Sequence, residues 1–183
     1  MEVLATDTPF WLVDPLDGTR NFVAGDPNFG TMVAFVMDGH ARAAWIHLSV
    51  TGRTFVAEEG AGAFVEGARL RSKISGDMPT GTVYSDFMPP ELRAEILPRA
   101  RERTRLVDGP MAAAIEYTSL ALGDKDYVVY HRLYPWDHVP GALLVSEAAS
   151  RYSIGTMMKK PRSGPTTGAG ITAFSTGSRF GER

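Results

Sequence analysis

Trp11-Leu12-Val13-Asp14-Pro15-Leu16-Asp17-Gly18-Thr19-Arg20-Asn21-Phe22 carries an apolar run into a turn of acids, proline and glycine. Phe10 to Val13 is β-prone and is stopped by Asp14-Pro15, as expected of a buried strand. Two carboxylates, Asp14 and Asp17, then flank a proline at the strand's end. Hard divalent cations such as Mg²⁺ take oxygen ligands, usually one or two carboxylates plus substrate phosphate oxygens. Pro15 fixes the chain direction, and Gly18 lets the backbone approach a ligand closely. The N–H groups of Gly18 and Thr19 could meet a phosphate, and the Thr19 hydroxyl could orient a water. Surface turns also use Asp-Pro and Asp-Gly pairs, so these residue types alone leave a plain turn equally open.

Outward from this stretch, Pro15 to Asn28 reads as a structured loop, rich in Asp, Gly, Pro and Asn. Three β-type stretches follow, Phe29 to Met37, Ala41 to Ser49 and Arg53 to Glu58, separated by the hairpin signals Asp38-Gly39 and Thr51-Gly52. Their spacing predicts an antiparallel meander, because a parallel crossover needs a dozen or more residues. Ala63 to Val65 is a further short strand. Thr82 to Ser85, Arg105 to Val107 and Tyr127 to Tyr130 read as strands. Pro90 to Arg103, Met111 to Leu122 (stopped by Gly123) and Pro140 to Ala149 read as helices. A meander followed by alternating strands and helices predicts a layered α/β protein with a mixed sheet arrangement. Residues 151–183 turn polar, heavy in Gly, Ser, Thr, Lys and Arg, and read as a loosely ordered tail with one strand at Gly170 to Phe174.

The second stretch with chemical content is Tyr134-Pro135-Trp136-Asp137-His138-Val139-Pro140-Gly141-Ala142. Asp137 stands just ahead of the helix expected from Pro140, where an N-cap is the ordinary use of Asp. His138 reads as a neighbour, since a Mg²⁺ site prefers oxygen. His40, His47 and His131 show no metal spacing and read as structural.

Together the two stretches resemble the inositol monophosphatase family, whose signatures are a WxxDPxDGTxNF segment and a later WDxxxG segment. They stand here in order, as Trp11 to Phe22 and Trp136 to Gly141. Between them Asn28-Phe29-Gly30, Glu59-Gly60-Ala61-Gly62-Ala63 and Ala112-Ala113-Ala114-Ile115-Glu116-Tyr117 also agree, so the resemblance covers roughly residues 9 to 149. It implies a single layered α-β-α-β-α domain over 1–183, here without its first helical layer. It implies metal ligands at Asp14, Asp17, Asp137 and the Leu16 carbonyl. Gly18 and Thr19 would hold the phosphate, with Asp137 also on the substrate side, and Thr19 and Asp17 would serve the attacking water. The implied reaction is in-line attack by a metal-activated water on a phosphate monoester. Haloacid dehalogenase phosphatases share a DGT ending, but their aspartates are one residue apart, whereas two residues separate Asp14 from Asp17.

The chain also departs from that family. Relatives place a Glu-Glu segment well ahead of the DPxDGT strand, whereas Glu2 lies twelve residues before Asp14. The expectation is that the metal-bridging glutamate is missing, that turnover of the chain as given is weak or absent, and that apolar sheet surface is exposed. Past Glu147-Ala148-Ala149 the family's Gly-Gly continuation is absent. Tyr130 stands where inositol-specific members place a Glu, which counts against a strict inositol phosphatase. Histidinol phosphate, a sugar phosphate and a nucleotide 3′-phosphate stay open, as does a non-catalytic metal-binding or interaction module. Tyr130 and Tyr134 read as plain packing, with ring-flanking as the alternative.

Bulk properties bound the rest. The 183 residues carry a formal charge of −2 and a pI near 6.1, which gives no general attraction to nucleic acid or anionic membranes. With no cysteine, disulfides, thiolate sites and cysteine catalysis are excluded. No apolar run reaches the roughly 20 residues that span a bilayer. The expectations are therefore a cytoplasmic protein acting on a small phosphate monoester, without nucleic-acid or membrane partners and with a homodimer open by kinship.

Overall fold

The computed structural model describes residues 8–72, 78–148, 153–157 and 171–175. The expected meander is present. β1 (Phe10–Asp17), β2 (Gly30–Met37), β3 (His40–Leu48), β4 (Arg53–Glu58), β5 (Gly62–Val65) and β6 (Ala68–Arg69) form one sheet in chain order, antiparallel throughout. Asp38 and Gly39 both have positive φ (53° and 75°), the geometry of the tight turn that Asp-Gly favours between β2 and β3.

Two expectations around the first stretch need correction. β1 is a sheet-edge strand rather than a buried one, and Trp11 is 61% exposed and Val13 48% exposed. Its side chains alternate, and one face turns away from the helices; there Trp11 packs beside Phe35 and Trp45, with centroids 5.1 and 5.7 Å apart. Moreover, 15–28 is not all loop: β1 runs on to Asp17 with a register irregularity after Asp14, and Thr19–Ala24 forms a short helix, α1. Gly18 makes that turn at φ 78°, where a Cβ would lie 2.7 Å from the Asn28 carbonyl oxygen.

The other face of this sheet is the core. Met32, Ala44, Ile46, Phe55 and Ala57 pack against α3 (Ala113–Leu122) and α4 (Pro135–Ala148). The same cluster continues through Tyr117 and Leu144 to Val128 and Tyr130 of β9 (Tyr127–Tyr130). β9 lies in a second sheet with β7 (Thr80–Val83), β8 (Arg105–Leu106), β10 (Ser153–Met157) and β11 (Ile171–Ser175), in the order β10-β11-β9-β7-β8. β7 pairs with β8 and β9 in parallel, and β11 pairs with β9 antiparallel. α2 (Pro90–Arg103) lies beside β8 and keeps its expected bounds. The result is a layered α/β sandwich with one antiparallel and one mixed sheet.

Smaller differences follow from local chemistry. α3 starts two residues later than expected because Met111 sits at φ 56°, outside helical space, and Gly123 ends it in the left-handed conformation as expected. α4 begins at Pro135 rather than Pro140: a proline favours the first helical turn, and Pro140 is accommodated inside the helix. Within 151–183, β10 was not expected, while β11 overlaps the expected strand, shifted by one residue. The remainder of that segment, like Glu2, lies outside the described residues.

Gly141 lets α4 lie directly on α3, because a Cβ there would overlap the ring of the fully buried Tyr117. Gly141→Ala is expected to cost ~2–3 kcal/mol by overpacking. That lowers the thermal midpoint by roughly 4–12 °C in a domain of this size, read by calorimetry.

Candidate active site

The two sequence stretches meet in space. One carboxylate oxygen from each of Asp14, Asp17 and Asp137 lies within 4.8 Å of the other two, although Asp137 comes from α4 and the others from the end of β1. Asp137 is therefore not an N-cap ahead of its helix but part of the helix's first turn, facing the β1 acids.

Asp14 and Asp17 are each held by backbone. Leu16 N–H donates to Asp14 Oδ1 at 3.0 Å. The Ala114 N–H donates to Asp17 Oδ2 at 2.7 Å, so Asp17 satisfies a free N–H in the first turn of α3, whose own N-cap residue, Ala112, offers no side-chain acceptor. The Leu16 carbonyl accepts the Thr19 hydroxyl at 2.9 Å. Asn21 Nδ2 donates to the Asn28 and Pro110 carbonyls, both at 2.6 Å, and ties the α1 turn to the segment entering α3.

This packing of like charges is electrostatically unfavourable by itself. Burial pushes the Asp17 carboxyl up to about 6; amides of Ala114 and Ala113 pull it back, and the Asp14 charge adds to the rise. Burial pushes Asp137 up to about 7, helped by its contact with Asp14 and by the charges of Asp17 and Asp14. Three oxygen donors in one cluster, two of them reluctant to ionise without a counter-charge, suit a hard divalent cation.

The sign of the pH dependence follows. Both groups sit above the free value of 3.8, so the folded metal-free chain holds protons that the unfolded chain releases. Their contribution to stability is full below about pH 4 and is lost as pH rises through about 6 to 7. With chelator present, the thermal midpoint is expected to fall between about pH 5 and pH 8, and Mg²⁺ should restore more at the higher pH. A midpoint that climbs with pH under chelator contradicts this.

Beside the cluster opens a cleft of about 160 Å³, reaching from Asp17 and Asp137 past Ala112 and Tyr130 to Tyr84, Phe87, Arg132 and Tyr134. Tyr130 stacks on Tyr84 with centroids 5.1 Å apart, and Tyr134 stacks on Trp136 at 5.2 Å. His138 is no ligand of the acid cluster. Its Nδ1 meets the Tyr117 hydroxyl at 2.8 Å and its Nε2 the Arg132 carbonyl at 3.2 Å; burial lowers its pKa to about 4, which keeps it neutral. His47 meets Thr54 at 2.9 Å, away from the site.

The sequence reading missed Tyr84, Phe87, Met111 and Arg132, which line the cleft from separate segments. It also missed the buried Glu116, which accepts from the Tyr84 hydroxyl at 2.8 Å and from Lys125 Nζ at 2.7 Å. Helix periodicity alone could not have found Glu116, since a single Glu between Ile115 and Tyr117 carries no signal that its carboxylate is buried.

The chain is thus a layered α/β sandwich with an all-carboxylate cluster at the junction of a strand end and a helix start. The family model of the inositol monophosphatase family matches residues 1–171, and the chain belongs to that family. A fructose-1,6-bisphosphatase/inositol-1-monophosphatase of Thermotoga maritima is 35% identical over 143 residues, 75% of this chain and 54% of the relative. An inositol-1-monophosphatase of Mycobacterium leprae is 34% identical over 177 residues, 90% of this chain and 57% of the relative. The Nus factor SuhB of Escherichia coli is 30% identical over 144 residues, 75% and 54%. Among solved structures, an IMPase of Thermotoga maritima superposes with a TM-score of 0.71 at 31% identity, covering 93% of this chain and 65% of that one. The chain thus spans little more than half the length of the curated relatives it matches.

Proposed function

We propose that this chain carries the metal centre of a Mg²⁺-dependent phosphomonoesterase acting on a small phosphate ester. The observation that carries the reading is the convergence of Asp14, Asp17 and Asp137 beside a cleft of small-molecule size. Asp14, Asp17 and Asp137 would hold the cation, with the Leu16 carbonyl as a further oxygen donor. Bound Mg²⁺ would supply charge neutralisation for the phosphate and a more acidic water. The chain's own residues do the positioning. The Ala114 amide fixes the Asp17 carboxylate. Gly18 and Thr19 would lie against the phosphate, with the Gly18 amide also supporting Asp17. The Thr19 hydroxyl, which donates to the Leu16 carbonyl, would orient a water. The names of the Thermotoga and Mycobacterium relatives support a phosphate ester of a sugar or cyclitol.

A second reading, a non-catalytic metal-binding or interaction module, draws on the exposed aromatic face at Trp11. Phosphate release from a panel of small monoesters, with Mg²⁺ or with chelator, separates the two. Slow but Mg²⁺-dependent release, lost in Asp14→Asn, is the expected result. No release from a chain shown to be folded would favour the second reading.

A further inference from the structure

We propose that Tyr84 is a positioning residue for the metal centre: its hydroxyl holds Met111 in a strained backbone conformation that sets the first turn of α3 against Asp17. This rests on the reading of Asp14, Asp17 and Asp137 as a cation site and adds to it a residue outside their cluster.

Among the described residues, Asp38, Glu66 and Met111 are the non-glycine residues with positive φ, at 53°, 50° and 56°. Asp38 and Glu66 sit in hairpin turns, each followed by a glycine that is itself at positive φ, where such geometry is ordinary. Met111 has no such setting. It carries a long side chain, stands two residues before α3 and lines the cleft together with Asp17. A left-handed residue of this kind is costly and persists only where its surroundings hold it there.

The hold acts on both ends of one peptide unit. The Met111 N–H donates to Tyr84 Oη at 3.2 Å, and the Tyr84 hydroxyl donates in turn to Glu116 Oε1 at 2.8 Å. Burial and the Glu116 charge keep the phenol protonated, so its oxygen faces Met111 as an acceptor whose own proton is already committed. At the other end of the same peptide, the Pro110 carbonyl accepts from Asn21 Nδ2 at 2.6 Å. Gly109 packs directly on the tyrosine as well, since a Cβ there would overlap the Tyr84 hydroxyl and ring.

This clamp delivers the start of α3 to the acids. Ala112 lies against Gly18, where a Cβ would come 3.0 Å from the Ala112 Cβ, and the Ala114 N–H donates to Asp17 Oδ2 at 2.7 Å. Relaxation of Met111 to a negative φ would swing the chain entering α3 and move both contacts. A hard divalent cation with strict octahedral demands tolerates little displacement of a donor.

The test is a double-variant cycle in the full chain, read as Mn²⁺ affinity by titration calorimetry. Tyr84→Phe removes the hydroxyl and keeps the ring, and is expected to weaken Mn²⁺ binding by about ten-fold, the low end for loss of a supporting group. In a Met111→Gly background the same change should cost about two-fold or less, because glycine takes the left-handed conformation without being held. The lost contact with Glu116 is common to both backgrounds and cancels in the comparison. Thermal melts of Met111→Gly and Met111→Ala read the strain separately. Both lose the side chain, and the glycine variant is expected to melt roughly 2–4 °C above the alanine variant. A glycine variant that melts below the alanine one, the ordinary order of these residues, would overturn the inference. So would equal losses of affinity from Tyr84→Phe in both backgrounds, or no loss in either; these outcomes leave the metal reading intact. A folded parent chain that binds no Mn²⁺ overturns both together.

Discussion

Asp137→Asn is expected to lower the affinity of the chain for Mg²⁺ or Mn²⁺ by at least about 100-fold. Loss of a partner one shell farther out already costs 10–100-fold, and Asp137 is a donor of the cluster itself. The variant keeps the shape of the side chain and removes a charge that burial, Asp14 and Asp17 all disfavour. Its metal-free stability at neutral pH should therefore equal or exceed that of the parent. The combination is diagnostic: weaker metal binding in a chain that is no less stable can come from the site alone. Titration calorimetry with a thermal melt under chelator reads both. Unchanged affinity would remove Asp137 from the metal site and leave it as an acid of α4's first turn.

The second large effect concerns the support behind the cleft. Glu116 is completely buried on α3, its oxygens taken by the Tyr84 hydroxyl and by Lys125, whose Nζ also donates to Thr82 at 2.9 Å. Lys125→Ala leaves that carboxylate buried with one neutral donor. Breaking a buried pair from one side costs about 3 kcal/mol or more, which lowers the thermal midpoint by roughly 6–12 °C at this size. The double variant Glu116→Gln with Lys125→Met should lose distinctly less, because no charge is then stranded. Tyr84 lines the cleft and stacks on Tyr130, so the single variant should also disturb ligand binding. If Lys125→Ala melts like the parent, the pair contributes nothing to the fold.

How far the sequence spoke depended on whether the signal was local. The meander of β2, β3 and β4 was legible because its strands are contiguous and its turns are marked by Asp38-Gly39 and Thr51-Gly52, whereas the pairing of β1 at its edge and the short β6 were not. α2 was legible from its proline start, and α3 from its glycine stop. The start of α4 was not: two prolines five residues apart offered two starts, and the burial of Pro140 against the core decides for Pro135. The exposure of β1 was equally hidden, since Phe10 to Val13 reads the same in a central strand as at an edge. The acids of the site were legible through motif resemblance, which linked Asp14 and Asp17 to Asp137 across the chain. The cleft walls were not, because β7, the turn before α3 and the end of β9 converge only through the parallel pairing of β7 with β9. Arg132 carries no signal of its own in the sequence, because the Phe87 ring it lies over comes from a distant segment.

The account turns on one assertion, that Asp14, Asp17 and Asp137 together hold a divalent cation. Crystals grown with Mn²⁺ and measured near the manganese absorption edge test it most directly. An anomalous peak at bonding distance from oxygens of all three aspartates is the expected result. A well-ordered acid cluster with no peak among its carboxylates, at a concentration that saturates Mn²⁺ binding in solution, would contradict it.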